Sequence, residues 1–480
     1  MADIYRPSLR LRPSEQRAIL LIGDFIASAA ATAGAVLLWY QYSLYRLIQD
    51  GVKPAVAARI IRIEVPLWFY LLPLVWVLLM IDSYEIHTAS NWRKTLRAIA
   101  VAPIIGFLGY SLLFTINIDP NSLPRIAIGA FLIFASILTL GWRALYIRLY
   151  TSSGLTRRVL IIGAGKAGKT LVEAYHKLSP PPFLIIGFID DDPVKRAKSY
   201  HGFAVLGDSE HLLDLIESYR ISDVVVAVTG EIKGETFQTI LDVQERGIEV
   251  MRMPILYEEL TQRVPIEHLE TDWVIRSFVD QVRVHGFYEL LKRSMDILGG
   301  IVGMLIFLFV LPFVAAAIFL ETGFPIFYSQ PRLGKGATPF RIYKFRTMLQ
   351  NAEADGRAKL ATVHDPRVTK VGNFLRKTRL DELPQFWNVL RGEMSLVGPR
   401  AERPELVAEF QKKIPYYRAR LLVKPGLTGW AQINYGYVAT VRETFVKLEY
   451  DLYYIKHRTL NLDFNIVLRT IGTVLRRTGQ

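Results

Sequence analysis

Asp381 and Glu382 stand side by side behind two arginines in the segment Arg376-Lys-Thr-Arg379-Leu-Asp381-Glu382-Leu-Pro-Gln385. Adjacent carboxylates flanked by arginine suit phosphoryl chemistry. One can attack phosphorus, its neighbour can hold a magnesium ion, and the guanidinium groups neutralise non-bridging oxygens. Nearby positive charge also keeps both acids ionised. Two further groups keep similar company. Lys344-Phe-Arg346-Thr-Met348 puts two cations either side of an aromatic ring, and Gly398-Pro-Arg400-Ala-Glu402-Arg403-Pro404 adds an Arg-Glu-Arg group bounded by prolines. Between Pro331 and Pro404 there are fifteen Lys and Arg against seven Asp and Glu, so this stretch is either an anion site or a solvated basic face. Taken alone, the dyad equally suits the acidic first turn of a helix, with Arg376 and Arg379 as surface partners.

A second phosphate-binding pattern lies upstream. Gly163-Ala-Gly165-Lys-Ala-Gly168-Lys169-Thr170 follows an apolar strand-like run and fits both a dinucleotide turn and a P-loop. The next strand ends in Asp190-Asp191-Asp192, and Asp190 stands 22 residues past Gly168, where a ribose-binding acid is expected in a Rossmann unit. That spacing favours the dinucleotide geometry. The glycines serve helix-to-sheet packing just as well, so Gly163, Gly165, Gly168 and Asp190 are either a nucleotide site or scaffold. A sugar-nucleotide dehydratase or epimerase would carry a Tyr-x-x-x-Lys pair in this unit, and residues 157–265 hold none.

The elements that must position these residues follow from hydropathy. The chain of 480 residues is 51% hydrophobic and 21% charged, with a mean hydropathy of +0.24. This excludes a disordered chain and argues against a purely soluble enzyme. A formal charge of +14 suits nucleic acid or a phosphate-rich membrane surface. With no cysteine, disulfides, thiolate metal sites and a Cys nucleophile are excluded. No cleavable signal peptide is visible. Four apolar runs, at residues 18–42, 65–81, 98–118 and 126–146, read as membrane spans, and basic flanks place both chain termini inside. Asp24 lies within the first run, either as a functional carboxylate or as one that snorkels toward the interface or pairs with a neighbouring arginine. The resulting plan is a four-helix membrane region over 1–150, an α/β Rossmann-like unit over 151–265, a linker over 266–286 and a final unit over 287–480. A fifth apolar run, 297–320, is broken by Pro312. Tyr416, Tyr417, Arg418 and Arg420 read as an interfacial segment, and Phe464 to Leu475 as an amphipathic surface helix or a core helix.

Six motifs in the last unit occur together in order: Leu291-Lys-Arg293-Ser-Met-Asp296, Gln330-x-Arg332-x-Gly334, Lys344 to Met348, Leu375 to Gln385, Leu396-Val-Gly-Pro-Arg400, and Lys424-Pro-Gly-Leu-Thr-Gly-Trp-Ala-Gln-Ile-Asn434. In these motifs the chain resembles the bacterial sugar transferases, monotopic polyprenyl-phosphate hexose-1-phosphate transferases, in their long form. The resemblance implies an α-rich catalytic domain with a re-entrant membrane helix at 297–320, facing the cytoplasm from a bacterial inner membrane. It implies Asp381 as the nucleophile toward a UDP-hexose, with UMP released and a phosphosugar-aspartyl intermediate formed. It further implies Glu382, with Asp381, as the magnesium site, Arg376 as a required arginine, and Lys344, Arg346, Arg379 and Arg400 around the phosphates. Undecaprenyl phosphate is then the acceptor, and the first membrane step of exopolysaccharide, O-antigen or capsule assembly is the function. The expected partners are the UDP-hexose, the lipid acceptor and the bilayer, not nucleic acid; self-association stays open. The competing class is a membrane-tethered, Rossmann-dependent sugar-nucleotide modifier. Where small family members often show Ser-Pro in the broken helix, this chain has Leu311-Pro312. No motif specifies the hexose.

Overall fold

A computed structural model describes residues 13–61, 65–84, 92–116, 124–150, 157–178, 181–196, 198–230, 232, 234–269, 286–349, 365–436 and 440–475. The chain divides into two compact units, Met1–Met253 and Pro254–Gln480. The break falls before residue 265, where composition placed it, because the segment around it builds into the later unit. Val264 and Ile266 share a buried cluster with Trp430, Leu448 and Leu452, and Lys456 Nζ pairs with Glu258 at 2.9 Å.

Among the described residues of the first unit, three helices are long and apolar enough to cross a bilayer: Arg17–Gln49, Thr95–Thr115 and Arg125–Leu149. The run expected as the second span is too short. It forms a 3-10 segment, Leu67–Leu71, and a helix, Leu72–Leu79, which together rise about 22 Å against a hydrocarbon core of about 30 Å. Part of its apolar character serves packing, since Phe69 and Trp76 are wholly buried in the bundle, and Trp76 Nε1 donates to Thr139 Oγ1 at 2.9 Å. Asp24 pairs with Arg143 at 2.5 Å, with neither side chain accessible to solvent. Arg143 also donates to the Ser83 carbonyl at 3.0 Å and to Ser83 Oγ at 2.8 Å. Of the two readings of Asp24, pairing is the one the structure displays.

Next comes a six-stranded sheet of β1 (Arg158–Ile162), β2 (Leu184–Ile189), β3 (Ser199–Tyr200), β4 (Phe203–Gly207), β5 (Asp223–Val226) and β6 (Glu249–Arg252). Its order is β3-β4-β2-β1-β5-β6, parallel throughout except for the short β3. β5 is buried along its whole length and β1 along all but its first residue, as expected of strands covered on both faces. The chain winds to one side of β1 and returns on the other at β5. Doubly wound sheets bind ligands at such a reversal.

The second unit is dominated by a helix of 37 residues, Gly286–Thr322, assigned without a break through Pro312. One face is bonded to the unit from end to end. Near its start Arg293 donates to the carbonyls of Val389 and Leu390 at 2.8 and 2.7 Å, and Asp296 accepts from Ser395 Oγ and the Leu396 amide, both at 2.9 Å. At its far end Glu321 accepts from the amides of Lys370 and Val371 at 2.8 and 3.0 Å. Elsewhere along the helix, Leu298, Leu305, Phe309, Phe313 and Leu320 are each more than half exposed. An antiparallel hairpin of β7 (Phe327–Leu333) and β8 (Pro339–Phe345) and a parallel pair of β9 (Ser395–Val397) and β10 (Gly426–Thr428) complete the frame. The last helix, Leu460–Leu475, buries Ile466 completely, so the core reading of that stripe describes it.

Candidate active site

The dyad sits on a 3-10 turn, Leu380–Gln385, entered through Arg379 in the left-handed region at φ 58°. Arg379 terminates the helix Lys370–Thr378, whose start is capped by Thr369. Two separate elements bring cations to this turn. Lys344 projects from the end of β8, held in register by β7. Arg400 follows β9, where two backbones cross: the Gly398 amide donates to the Thr428 carbonyl at 2.9 Å and the Gly426 amide to the Pro399 carbonyl at 2.8 Å. A Cβ on Gly426 would lie 2.1 Å from the Gly398 nitrogen, so only glycine permits this approach.

The two carboxylates differ in their bonding. Glu382 Oε1 accepts from Lys344 Nζ and from Arg400 Nη2, each at 2.7 Å. Asp381, equally buried, makes no hydrogen bond or ion pair with any described residue. Burial disfavours charge on Glu382, but Arg400, Lys344 and Arg379 outweigh it and hold the group well below the usual glutamate range. Burial dominates at Asp381. It pushes that carboxyl above the usual aspartate range, opposed by Lys344 and reinforced by the Glu382 charge. One acid is thus fixed and neutralised while its neighbour is left unclamped.

The other expected residues are spread around this pair. Arg379 lies near enough to favour charge on both acids. Arg376 donates through Nε to Thr347 Oγ1 at 3.0 Å. Arg346 is held at the end of the long helix, donating to the Gly323 carbonyl at 2.5 Å and to Thr322 Oγ1. Residues not expected at the site complete it. Gln432 Oε1 accepts from Arg400 Nη1 at 3.1 Å, and Arg420 Nη2 donates to the Arg400 carbonyl at 3.1 Å and to Asp451 at 2.8 Å. Gln432 stood inside a motif already singled out, whereas Asp451 carried no local signal. Tyr417 and Arg420 are buried and bonded to each other at 2.8 Å, so these two residues of the segment expected at the interface supply interior support, while Arg418 is exposed. Arg420 needs no membrane surface because Asp451 and Glu402 compensate its charge.

Among the described residues, no three acidic or histidine side chains converge as a metal cluster. Magnesium is commonly held by one or two carboxylates together with substrate phosphate oxygens, so the Asp381–Glu382 donor set still fits it. At the upstream turn, Asp190 accepts from the Ala164 amide at 2.8 Å, the Asp192 amide at 3.0 Å and Lys195 at 2.9 Å. Lys169 lies 3.9 Å from the centroid of the Tyr200 ring. A Cβ on Gly168 would lie 2.2 Å from the Gly163 carbonyl oxygen, while Gly165 faces open space. A Tyr-x-x-x-Lys spacing does occur outside this unit, at Tyr288 and Lys292. Both donate to Asp463, at 2.8 and 3.1 Å, and so tie the long helix to the last one.

Fold and site together define a membrane protein with a buried, cation-flanked carboxylate dyad beside an apolar helix. Residues 287–477 match the bacterial sugar transferase family, and residues 80–241 match a CoA-binding domain. The chain belongs to the bacterial sugar transferase family. It is 44% identical to a UDP-N-acetylgalactosamine-undecaprenyl-phosphate N-acetylgalactosaminephosphotransferase of Aeromonas hydrophila, over 48% of this chain and 53% of that one. It is 32% identical to a UDP-glucose:undecaprenyl-phosphate glucose-1-phosphate transferase of Escherichia coli K12, over 66% and 67% of the two chains. A UDP-galactose-lipid carrier transferase of Erwinia amylovora is 31% identical over 67% of this chain and 69% of its own. The match thus spans about half the length of the first relative and two thirds of the other two.

Proposed function

We propose that this protein transfers a hexose 1-phosphate from a UDP-sugar to undecaprenyl phosphate at the cytoplasmic face of a bacterial inner membrane, as a first step in polysaccharide assembly. The observation that carries this reading is the division of labour in the dyad: Glu382 clamped by Lys344 and Arg400, Asp381 buried and unbonded. An Asp381 oxygen attacks the sugar-bearing phosphorus, and the bond to the bridging oxygen breaks with its electron pair leaving on UMP. An oxygen of the lipid phosphate then attacks the same phosphorus, and the Asp381 carboxylate departs unchanged. Arg400 and Lys344 fix Glu382 beside the reacting group and offset the charge that gathers there. Magnesium, held by Asp381, Glu382 and substrate phosphate, would neutralise phosphate charge. The names of the relatives support the lipid acceptor, and their different sugars leave the hexose to experiment. Membranes carrying the protein should move label from one of a panel of UDP-hexoses into lipid, with UMP released. An altered nucleotide sugar instead would favour the Rossmann-dependent modifier.

The raised Asp381 carboxyl gives a pH signature. A nucleophile must be ionised, so the rate of the first step should rise with pH through an acid limb set above the usual aspartate range. Lys344 favours that ionisation by opposing the upward push of burial, so Lys344→Met should move the limb to still higher pH as well as slow the step. A limb left in place by the substitution would show that another group titrates.

The long helix supports a re-entrant topology. At about 1.5 Å per residue, 37 residues reach about 55 Å, more than enough to cross. Yet Arg293 near one end and Glu321 at the other are bonded to the same compact unit. Crossing would carry charged groups of that unit into hydrocarbon, at a cost of several kcal/mol each. Burying only the exposed apolar residues leaves both ends on one face, and Pro312 removes a backbone donor where a bend would be needed. Ser294 and Ser329 are both exposed, and the native chain has no cysteine. Single cysteines at these positions should label only from the cytoplasmic side; labelling of Ser329→Cys from outside intact cells would refute this topology.

A further inference from the structure

We propose that Arg346 is the phosphate-binding residue for the lipid acceptor, distinct from the Lys344–Arg400 pair that attends the dyad; this rests on the transfer reaction proposed above. Arg346 is 7% exposed and has no carboxylate in ion-pair range among the described residues. Its bonds to the Gly323 carbonyl and Thr322 Oγ1 occupy Nη2 alone, and the buried Nε and Nη1 have no partner among the described residues. A cation closing the carboxyl end of a helix is modestly favourable. A buried guanidinium with unmade hydrogen bonds costs more than that for each unsatisfied group. Capping alone does not account for this arrangement. An anion that takes both free donors does.

The surroundings select the kind of anion. Phe319, Leu320, Phe324 and Phe327 are 50%, 83%, 69% and 43% exposed around the helix end that holds Arg346. An isoprenoid tail on these residues would deliver its phosphate to Nε and Nη1 from the bilayer side, whereas a nucleotide sugar has no apolar group to lay there. The location also fits a two-step reaction. Arg346 extends the β7–β8 hairpin, its amide donating to the Ile326 carbonyl at 2.9 Å. Arg346 stands one residue past β8, and by the alternation of the strand its side chain leaves the backbone on the same side as that of Lys344, about 7 Å further along the chain. The acceptor phosphate can thus be held beside the phosphosugar-aspartyl group without displacing the cations on Glu382.

The two half-reactions separate the roles of these groups. In the full chain without lipid, Arg346→Met should still release UMP and form the Asp381 adduct at a rate within about threefold of the parent. Transfer of the adduct to added undecaprenyl phosphate should fall by about a hundredfold, with KM for the lipid raised, and Arg346→Lys should restore part of it. Adduct formation also reports that the substituted chain is folded. Inorganic phosphate, which has the charge without the tail, should compete far more weakly than undecaprenyl phosphate for the second step. Equal loss of both half-reactions, unchanged transfer, or equal competition by inorganic phosphate would each overturn the assignment. Failure of the parent chain itself to form an adduct would overturn the covalent scheme, and this assignment with it.

Discussion

Asp381→Asn is expected to lower turnover by about a thousandfold or more while the protein remains folded. The substitution keeps the shape of the side chain and removes the attacking charge. Because Asp381 makes no hydrogen bond or ion pair with any described residue, an amide there breaks nothing that holds the turn. It also removes a carboxyl that burial already disfavours in its charged form, so stability should be unchanged or slightly higher. Glu382→Gln differs on both counts. It removes the negative charge shared by Lys344 and Arg400, leaving two half-buried cations without that counter-ion, and should cost stability as well as rate. Parallel measurement of single-turnover UMP release and thermal unfolding separates the two substitutions. A phosphosugar adduct trapped on a residue other than Asp381 would refute the assignment of the nucleophile.

How much of this was legible in the sequence depended on how far apart the cooperating residues lie. The dyad and its arginines are within a few positions of one another, so type and spacing sufficed to single them out. β1 and β2 were readable as short apolar runs because strands largely buried on both faces carry their signature locally. Arg400 was found by its motif, but its support was not: Asp451 lies 31 residues beyond Arg420 and looks like any charged residue of a helix. Tyr417 and Arg420 misled for the same reason. An aromatic beside a cation has one composition at a membrane surface and in a buried ion pair, and only the distant partner distinguishes them. The run from Val65 to Ile81 misled differently. Hydropathy counts apolar residues, whereas crossing depends on rise, and a short helix begun in 3-10 form, with wholly buried aromatic rings, is apolar without being long.

Arg143→Met is expected to be the most damaging substitution in the first unit, at about 3–5 kcal/mol, because it leaves Asp24 charged and unpaired where no solvent reaches. Two interactions fail together: the ion pair to Asp24, 119 residues away in sequence, and the bonds to Ser83 that tie the end of the short apolar segment to the helix Arg125–Tyr150. The penalty arises mainly from the stranded partner rather than from loss of attraction, since a buried pair repays little beyond its own desolvation. A second substitution should therefore relieve it. Asp24→Leu on its own leaves the Arg143 charge without a counter-ion and should destabilise, whereas Asp24→Leu combined with Arg143→Met removes both charges and should recover most of the loss. Thermal unfolding of the four proteins in detergent closes the cycle. If the double substitution is as unstable as the sum of the singles, the pair is not coupled and the polar network around Ser83 carries the stability instead. Transferase activity of the recovered double variant is the informative readout, because the reactive groups all lie in the second unit. Activity restored with stability would make the pair an architectural clamp; stability restored without activity would show that the membrane bundle needs the charges themselves.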